Sequence, residues 1–114
     1  MVACQSTKGG HVPQRLTIFT IPGDPEELFK FKHAVMDPVI TAKGAEYGEL
    51  LHVAVKNPDG RGITIINLWD SVEGSDRAAQ DPDIQAVRAK LAAQLDRDSP
   101  PAGMHYEVVD FIQR

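Results

Sequence analysis

At 114 residues the chain has the length of one domain, and a second has no room. Hydrophobic residues at 42% and charged residues at 25% form an ordinary globular balance, which argues against disorder over most of the length. A net charge of -4, with 12 Lys and Arg scattered among 16 acids and no basic stripe, disfavours nucleic acid as a partner.

Cys4 is the single cysteine, so no intramolecular disulfide framework exists and no metal site can be built on cysteines alone. The opening MVACQSTKGG lacks the apolar core of a secretory signal, and no apolar run approaches the ~20 residues that span a bilayer. The expectation is a cytoplasmic protein without a membrane partner. Residues 1–13 read as a flexible tail, with Lys8-Gly9-Gly10 loosening it and Pro13 closing it, and residues 14–114 as one folded domain.

QRLTIFTI, from Gln14 to Ile21, is β-branched and aromatic, with Leu16 and Ile18 on one face and Phe19 and Ile21 on the other. It reads as a first strand. Pro22-Gly23 breaks it, and Asp24-Pro25-Glu26-Glu27 opens a helix with an N-cap aspartate, a proline at the first helical position and acids in the first turn. The apolar stripe Leu28, Phe31, Val35, Val39, Ala42 predicts a helix to about Lys43 that stops at Gly44, kinked or divided at Pro38. Projection at 100° per residue places Lys32 within the stripe and His33 at its edge beside Ile40. For Lys32 the structural alternative to a functional role is a stem lying on apolar surface with its ammonium in water.

YGELLHVAVK, from Tyr47 to Lys56, predicts a second strand, and the turn residues Asn57-Pro58-Asp59-Gly60 lead directly into GITIINLWD, the most apolar run, which holds the single tryptophan. Pairing Asn57 with Gly62 across a four-residue loop sets a register in which partner numbers sum to 119. His52 then lies opposite Asn67, Leu50 opposite Trp69 and Ala54 opposite Ile65. On the other face Leu51 meets Leu68, Val53 meets Ile66 and Val55 meets Thr64, and a slip of one residue would break both sets. Ser71 caps a short helical or turn segment. Asp81-Pro82-Asp83 repeats the capped start and opens a second helix with the stripe Ile84, Val87, Leu91, Leu95, into which Arg88 also projects. After the loop Ser99-Pro100-Pro101-Ala102-Gly103 comes a last strand, from Met104 to Ile112.

The order β-α-β-β-α-β is that of a ferredoxin-like α+β fold: a four-stranded antiparallel sheet with its helices on one face. The other face would carry Leu51, Val53, Val55, Ile66 and Leu68, too large an apolar patch for water, so a homodimer with sheets packed face to face is expected.

Over residues 14–114 the element order, the amphipathic first helix leading into the hairpin, and the strand ITIINLWDS resemble the dimeric α+β barrel superfamily, within it the antibiotic-biosynthesis-monooxygenase-like family. Members include cofactor-independent oxygenases of polyketide aromatics, haem-degrading oxygenases, and proteins of unassigned activity. The haem-degrading branch uses a first-strand Asn, a third-strand Trp and a His on the following helix. Only Trp69 matches, so haem is not expected.

The resemblance to the cofactor-independent oxygenases implies a pocket between sheet and helices holding a strand Asn and Trp with a basic residue nearby, positions that Asn67, Trp69 and Arg88 could fill. In that reading Trp69 packs on a flat phenolic substrate and Arg88 or Lys32 favours its anion, with His33 at the same helix edge. Asn67 donates a hydrogen bond to a developing peroxide, and His52 accepts the substrate proton. No cofactor is expected. Each residue also has a structural alternative: a core tryptophan, an asparagine that satisfies backbone, a packed strand histidine, and an arginine in an ion pair at the helix edge. His11 falls in the tail, His105 has an undecided face, and the four histidines lack metal-ligand spacing, so no metal is expected.

Two functions remain open: a cofactor-independent monooxygenase of a small aromatic or polyketide-like molecule, or a non-catalytic dimeric barrel that binds a ligand or serves a stress role. The first requires a ligand-sized cavity at Asn67, Trp69 and His52; the second predicts tight packing there.

Overall fold

A computed structural model describes residues 13–112; the expected tail, with Cys4 and His11, falls outside them apart from Pro13. The elements are β1 (Gln14–Ile21), α1 (Pro25–Phe31), a π-helical turn (Lys32–Met36), α2 (Asp37–Glu46), β2 (Glu49–Lys56), β3 (Ile63–Trp69), α3 (Val72–Gln80), α4 (Pro82–Gln94) and β4 (Met104–Val108). The four strands form one antiparallel sheet in the order β2-β3-β1-β4, the ferredoxin-like arrangement expected from the element order.

The capped starts form as the sequence predicts. Asp24 accepts a hydrogen bond from the Glu27 N–H, and Asp81 accepts from Asp83 and Ile84. Ser71 caps a full nine-residue helix, where only a short segment was expected, and accepts from the Gly74 N–H.

The first helix departs from expectation in the middle. Pro38 has no N–H to give to the carbonyl four residues back, and the Asp37 N–H bonds to the Lys32 carbonyl, five residues back, so the chain widens by one residue. That extra residue rotates the remainder of the helix. Met36, Ile40 and Gly44 face inward in place of Ala42, which is exposed, and the helix runs through Gly44 to Glu46.

The hairpin register is the expected one from Leu51–Leu68 through His52–Asn67 and Val53–Ile66 to Val55–Thr64. Leu50 is the correction. A β-bulge between Glu49 and Leu51 puts Glu49, not Leu50, opposite Trp69, and leaves Leu50 exposed.

The core lies between sheet and helices. Ile21, Leu28, Ile63, Ile65 and Leu91 form one cluster; Trp69, Ala78 and Ile84 form a second, flanked by Val39, Ile40 and Tyr47. Each large apolar side chain taken out of water contributes about 1.5–3 kcal/mol. On the opposite face Leu51, Val53 and Val55 are 48%, 37% and 40% exposed, and Met104 and Tyr106 of β4 are exposed as well. Leu68, at the centre of that face, is buried. No helix among the described residues is long and apolar enough to cross a membrane.

Candidate functional site

Strand alternation decides which side chains look toward the helices. Thr17 of β1 pairs with Asn67 of β3 and His105 of β4, and Asn67 pairs with His52 of β2, so these four share one row across the inner face. Trp69 and Glu49 lie beside that row. Above it, Met36 of the π-helical turn, Ile40 of α2, Ala78 of α3 and Arg88 of α4 complete a cavity of about 130 Å³. An apolar protein cavity of ~150 Å³ takes up benzene, so this space is on the scale of a single ring.

The floor of the cavity is a directed chain of hydrogen bonds. The Trp69 Nε1–H donates to Thr17 Oγ1 at 3.3 Å, and the Thr17 hydroxyl donates to Asn67 Oδ1 at 3.3 Å. Asn67 Nδ2 stands 2.5 Å from Glu49 Oε2 and 2.8 Å from His52 Nδ1. An indole nitrogen only donates and an ionised carboxylate only accepts, so the two ends agree on one orientation of the Asn67 amide: oxygen toward Thr17, nitrogen toward Glu49 and His52. Both amide hydrogens are thereby engaged. The expected donation from Asn67 to a bound peroxide has no free N–H in this geometry.

Glu49 was missed in the sequence because alternation alone assigns its place to Leu50. Its carboxylate is held between sheet and helix by the absence of a side chain at Gly44, where a Cβ would lie 2.5 Å from Glu49 Oε1. Thr17, buried on β1, was also missed; a threonine in a strand carries no signal of its own. His105, whose face was undecided, lines the cavity.

His52 Nε2 is buried and has no hydrogen-bond partner among the described residues. A buried polar atom left in this way costs about 1–3 kcal/mol.

Arg88 lines the cavity with its guanidinium 5.2 Å from the centre of the Phe19 ring, within cation–π range. Burial lowers its pKa, and no anion among the described residues offsets that. The ion pair expected as its structural alternative is therefore not formed among them. Arg15, by contrast, is paired with Asp76 at 2.5 Å beside the cavity.

Lys32 and His33 are not brought to the cavity lining. Lys32 is buried and bonded at 2.8 Å to Asp37, which the widened turn places within reach; its ammonium is not in water. His33 is exposed and lies 2.8 Å from the same carboxylate. Burial works to raise the Asp37 pKa, but its hydrogen bonds and charge interactions with Lys32 and His33 prevail and lower it. Among the described residues, no three His, Cys, Asp or Glu side chains gather where they could hold a metal ion.

Solved structures share this fold. A monooxygenase from the gene ActVA-Orf6 of Streptomyces coelicolor, in complex with nanaomycin D, superposes with a TM-score of 0.68 at 17% identity over 91% of this chain and 94% of that one. SnoaB, a cofactor-independent oxygenase from Streptomyces nogalater, gives 0.57 at 18% identity, covering 89% and 94%. A dimeric ferredoxin-like protein from an uncultured marine organism gives 0.69 at 17%, covering 90% and 93%. Neither a scan against protein-family models nor a search of curated proteins finds a match. The likeness is one of fold, that of the antibiotic-biosynthesis-monooxygenase-like structures.

Proposed function

We propose that the protein binds a small aromatic oxyanion in the cavity between sheet and helices and acts on it as a cofactor-independent monooxygenase. The observation that carries this reading is Arg88: a half-buried cation at a ring-sized cavity with no anion beside it among the described residues. A phenolate ring stacked near Trp69 would place its oxygen within the field of Arg88 and satisfy that charge. Held as the anion, an electron-rich ring carbon can pass an electron to O2 and couple with it. Loss of water from the resulting hydroperoxide leaves a carbonyl, with one oxygen atom in the product and the other in water. His52 supplies the second polar contact, and Asn67 holds it in place. The complex of the Streptomyces coelicolor monooxygenase with nanaomycin D and the activity of SnoaB support extending the fold's chemistry to this chain. Trp69, Arg88, His52 and Asn67 are the proposed site; Lys32 and His33 support the helix beside it.

A second reading is favoured by one feature. Both Asn67 N–H groups are engaged within the protein, so the asparagine has none to give to a developing peroxide. The tight packing expected of a non-catalytic barrel is not found at Asn67, Trp69 and His52, so in this reading the protein would bind its ligand in the same cavity without acting on it.

We further propose that a second copy covers the open sheet face, where Leu51, Val53, Val55, Met104 and Tyr106 lie exposed.

Trp69 fluorescence titrated with a panel of phenols tests binding, and oxygen uptake in the same samples tests catalysis. Quenching that is lost in Arg88→Met, with oxygen consumed, supports the enzyme. Quenching without oxygen uptake selects the binding protein, and no quenching by any phenol ends both.

A further inference from the structure

We propose that Glu49 is a positioning residue that fixes the tautomer of His52 through the Asn67 amide, so that the imidazole meets a ligand as a hydrogen-bond donor at Nε2 and not as a base. The inference rests on the reading of the cavity as a ligand site and adds how that site discriminates among ligands.

The direction of the hydrogen bonds decides the tautomer. Asn67 Nδ2 lies 2.8 Å from His52 Nδ1, and a nitrogen that donates leaves Nδ1 only the role of acceptor. The neutral ring then carries its proton on Nε2. The alternative, a proton on Nδ1 shared with Glu49, has a separation of 3.5 Å, too long for a good hydrogen bond, and would set two donors against each other at 2.8 Å.

What holds the amide in that direction is unequal at its two ends. The Thr17 end is a neutral hydroxyl bond, long at 3.3 Å, while the Glu49 end is a charge-assisted bond to a carboxylate. Glu49 is therefore the stronger pin. Gly44 and the β-bulge at Glu49 lie at the two points needed to seat it.

The Nε2–H that results is buried and lacks an acceptor among the described residues. A carbonyl or phenolate oxygen that reaches the ring completes it, while a methyl group in the same place leaves it unsatisfied. His52 and Arg88 both line the cavity, one from the sheet and one from α4, so a ligand that settles against the imidazole would meet a donor from each layer. The ligand class this selects is a flat ring bearing acceptor oxygens.

The test has two readouts. In a two-bond 1H–15N spectrum of the full chain at pH 8, with His52 assigned by its loss in His52→Gln, the expected state is one tautomer with Nε2 protonated. Thr17→Val should keep that state. Glu49→Gln, whose amide can present either atom to Asn67, should admit a second population protonated at Nδ1, and Gly44→Ala, which displaces the carboxylate, should do the same without altering Glu49 itself. A wild-type ring protonated at Nδ1, or a Glu49→Gln spectrum unchanged from wild type, overturns the proposal.

The second readout compares 4-nitrophenolate with 4-nitrotoluene, which has the same ring without the oxygen. Wild type should prefer the phenolate, shift His52 Nε2 on binding it, and lose about fivefold of that preference in Glu49→Gln. Binding of the phenolate without a shift at His52 overturns the proposal while leaving the cavity as a ligand site. If neither compound binds, the ligand reading fails, and the tautomer populations decide the role of Glu49 alone.

Discussion

Gly44 on α2 and Glu49 at the start of β2 are packed so closely that a Cβ on the glycine would stand 2.5 Å from the carboxylate oxygen of the glutamate and 3.1 Å from its Cδ. A helix loses about 1 kcal/mol for a glycine in its interior. Here the missing side chain leaves the space that the part-buried Glu49 carboxylate occupies beside Asn67.

Gly44→Ala should therefore act against its helix propensity. The gain of about 1 kcal/mol is outweighed by pushing Glu49 off Asn67, a charge-assisted contact worth about 1.5–3 kcal/mol. Urea unfolding should show a net loss of about 1 kcal/mol with an unchanged m-value. A gain in stability would mean that the carboxylate moves aside freely.

Arg88→Met keeps much of the volume of the side chain and removes a partly desolvated charge. Stability should hold within about 0.5 kcal/mol, while the dissociation constant for 4-nitrophenolate should rise by about tenfold or more. Equal binding in the variant would remove Arg88 from the site.

Asp81 joins α4 to the end of α2: it caps α4, accepts from the Tyr47 hydroxyl at 2.6 Å and lies 3.4 Å from the Lys43 ammonium. The Tyr47 hydrogen bond is the largest cause that holds its pKa below the ordinary 3.8, and the same contact raises the pKa of Tyr47. A carboxylate with a lowered folded pKa contributes stability in full above its unfolded pKa and loses it as pH falls through the folded value. Wild type should thus lose Tm below about pH 4, and Asp81→Asn should have a lower Tm at pH 7 with a shallower acid limb. Parallel acid limbs for the two proteins would contradict this account.

Val53→Lys places an ammonium in the middle of the exposed apolar face. If a second copy covers that face, sedimentation should show a dimer for wild type at micromolar concentration and association weakened by roughly tenfold or more in the variant. A monomeric wild type would end the dimer proposal.

Much of this architecture is legible in the sequence. The Asp-Pro starts at Asp24 and Asp81 are local signals, because a cap needs only its own next three residues. The pairing of His52 with Asn67 is legible because the Asn57 to Gly62 turn sets the count and alternation carries it along the hairpin. Alternation fails at Leu50, since a bulge is set by how the strand must bend to meet its neighbours and leaves no mark in the pattern.

Spacing within single segments was enough to establish the element order, the inner placement of Asn67 and Trp69, and the exposed apolar row Leu51, Val53, Val55. The polar floor needed the assembled fold. The widened turn at Lys32–Met36 buried Lys32 against Asp37 and kept it from the cavity, while the bulge brought Glu49 to Asn67. Thr17, from a strand 50 positions away, completed the chain of hydrogen bonds. Those contacts join segments that no periodicity links, and their directions are set by which partners can donate and which can only accept.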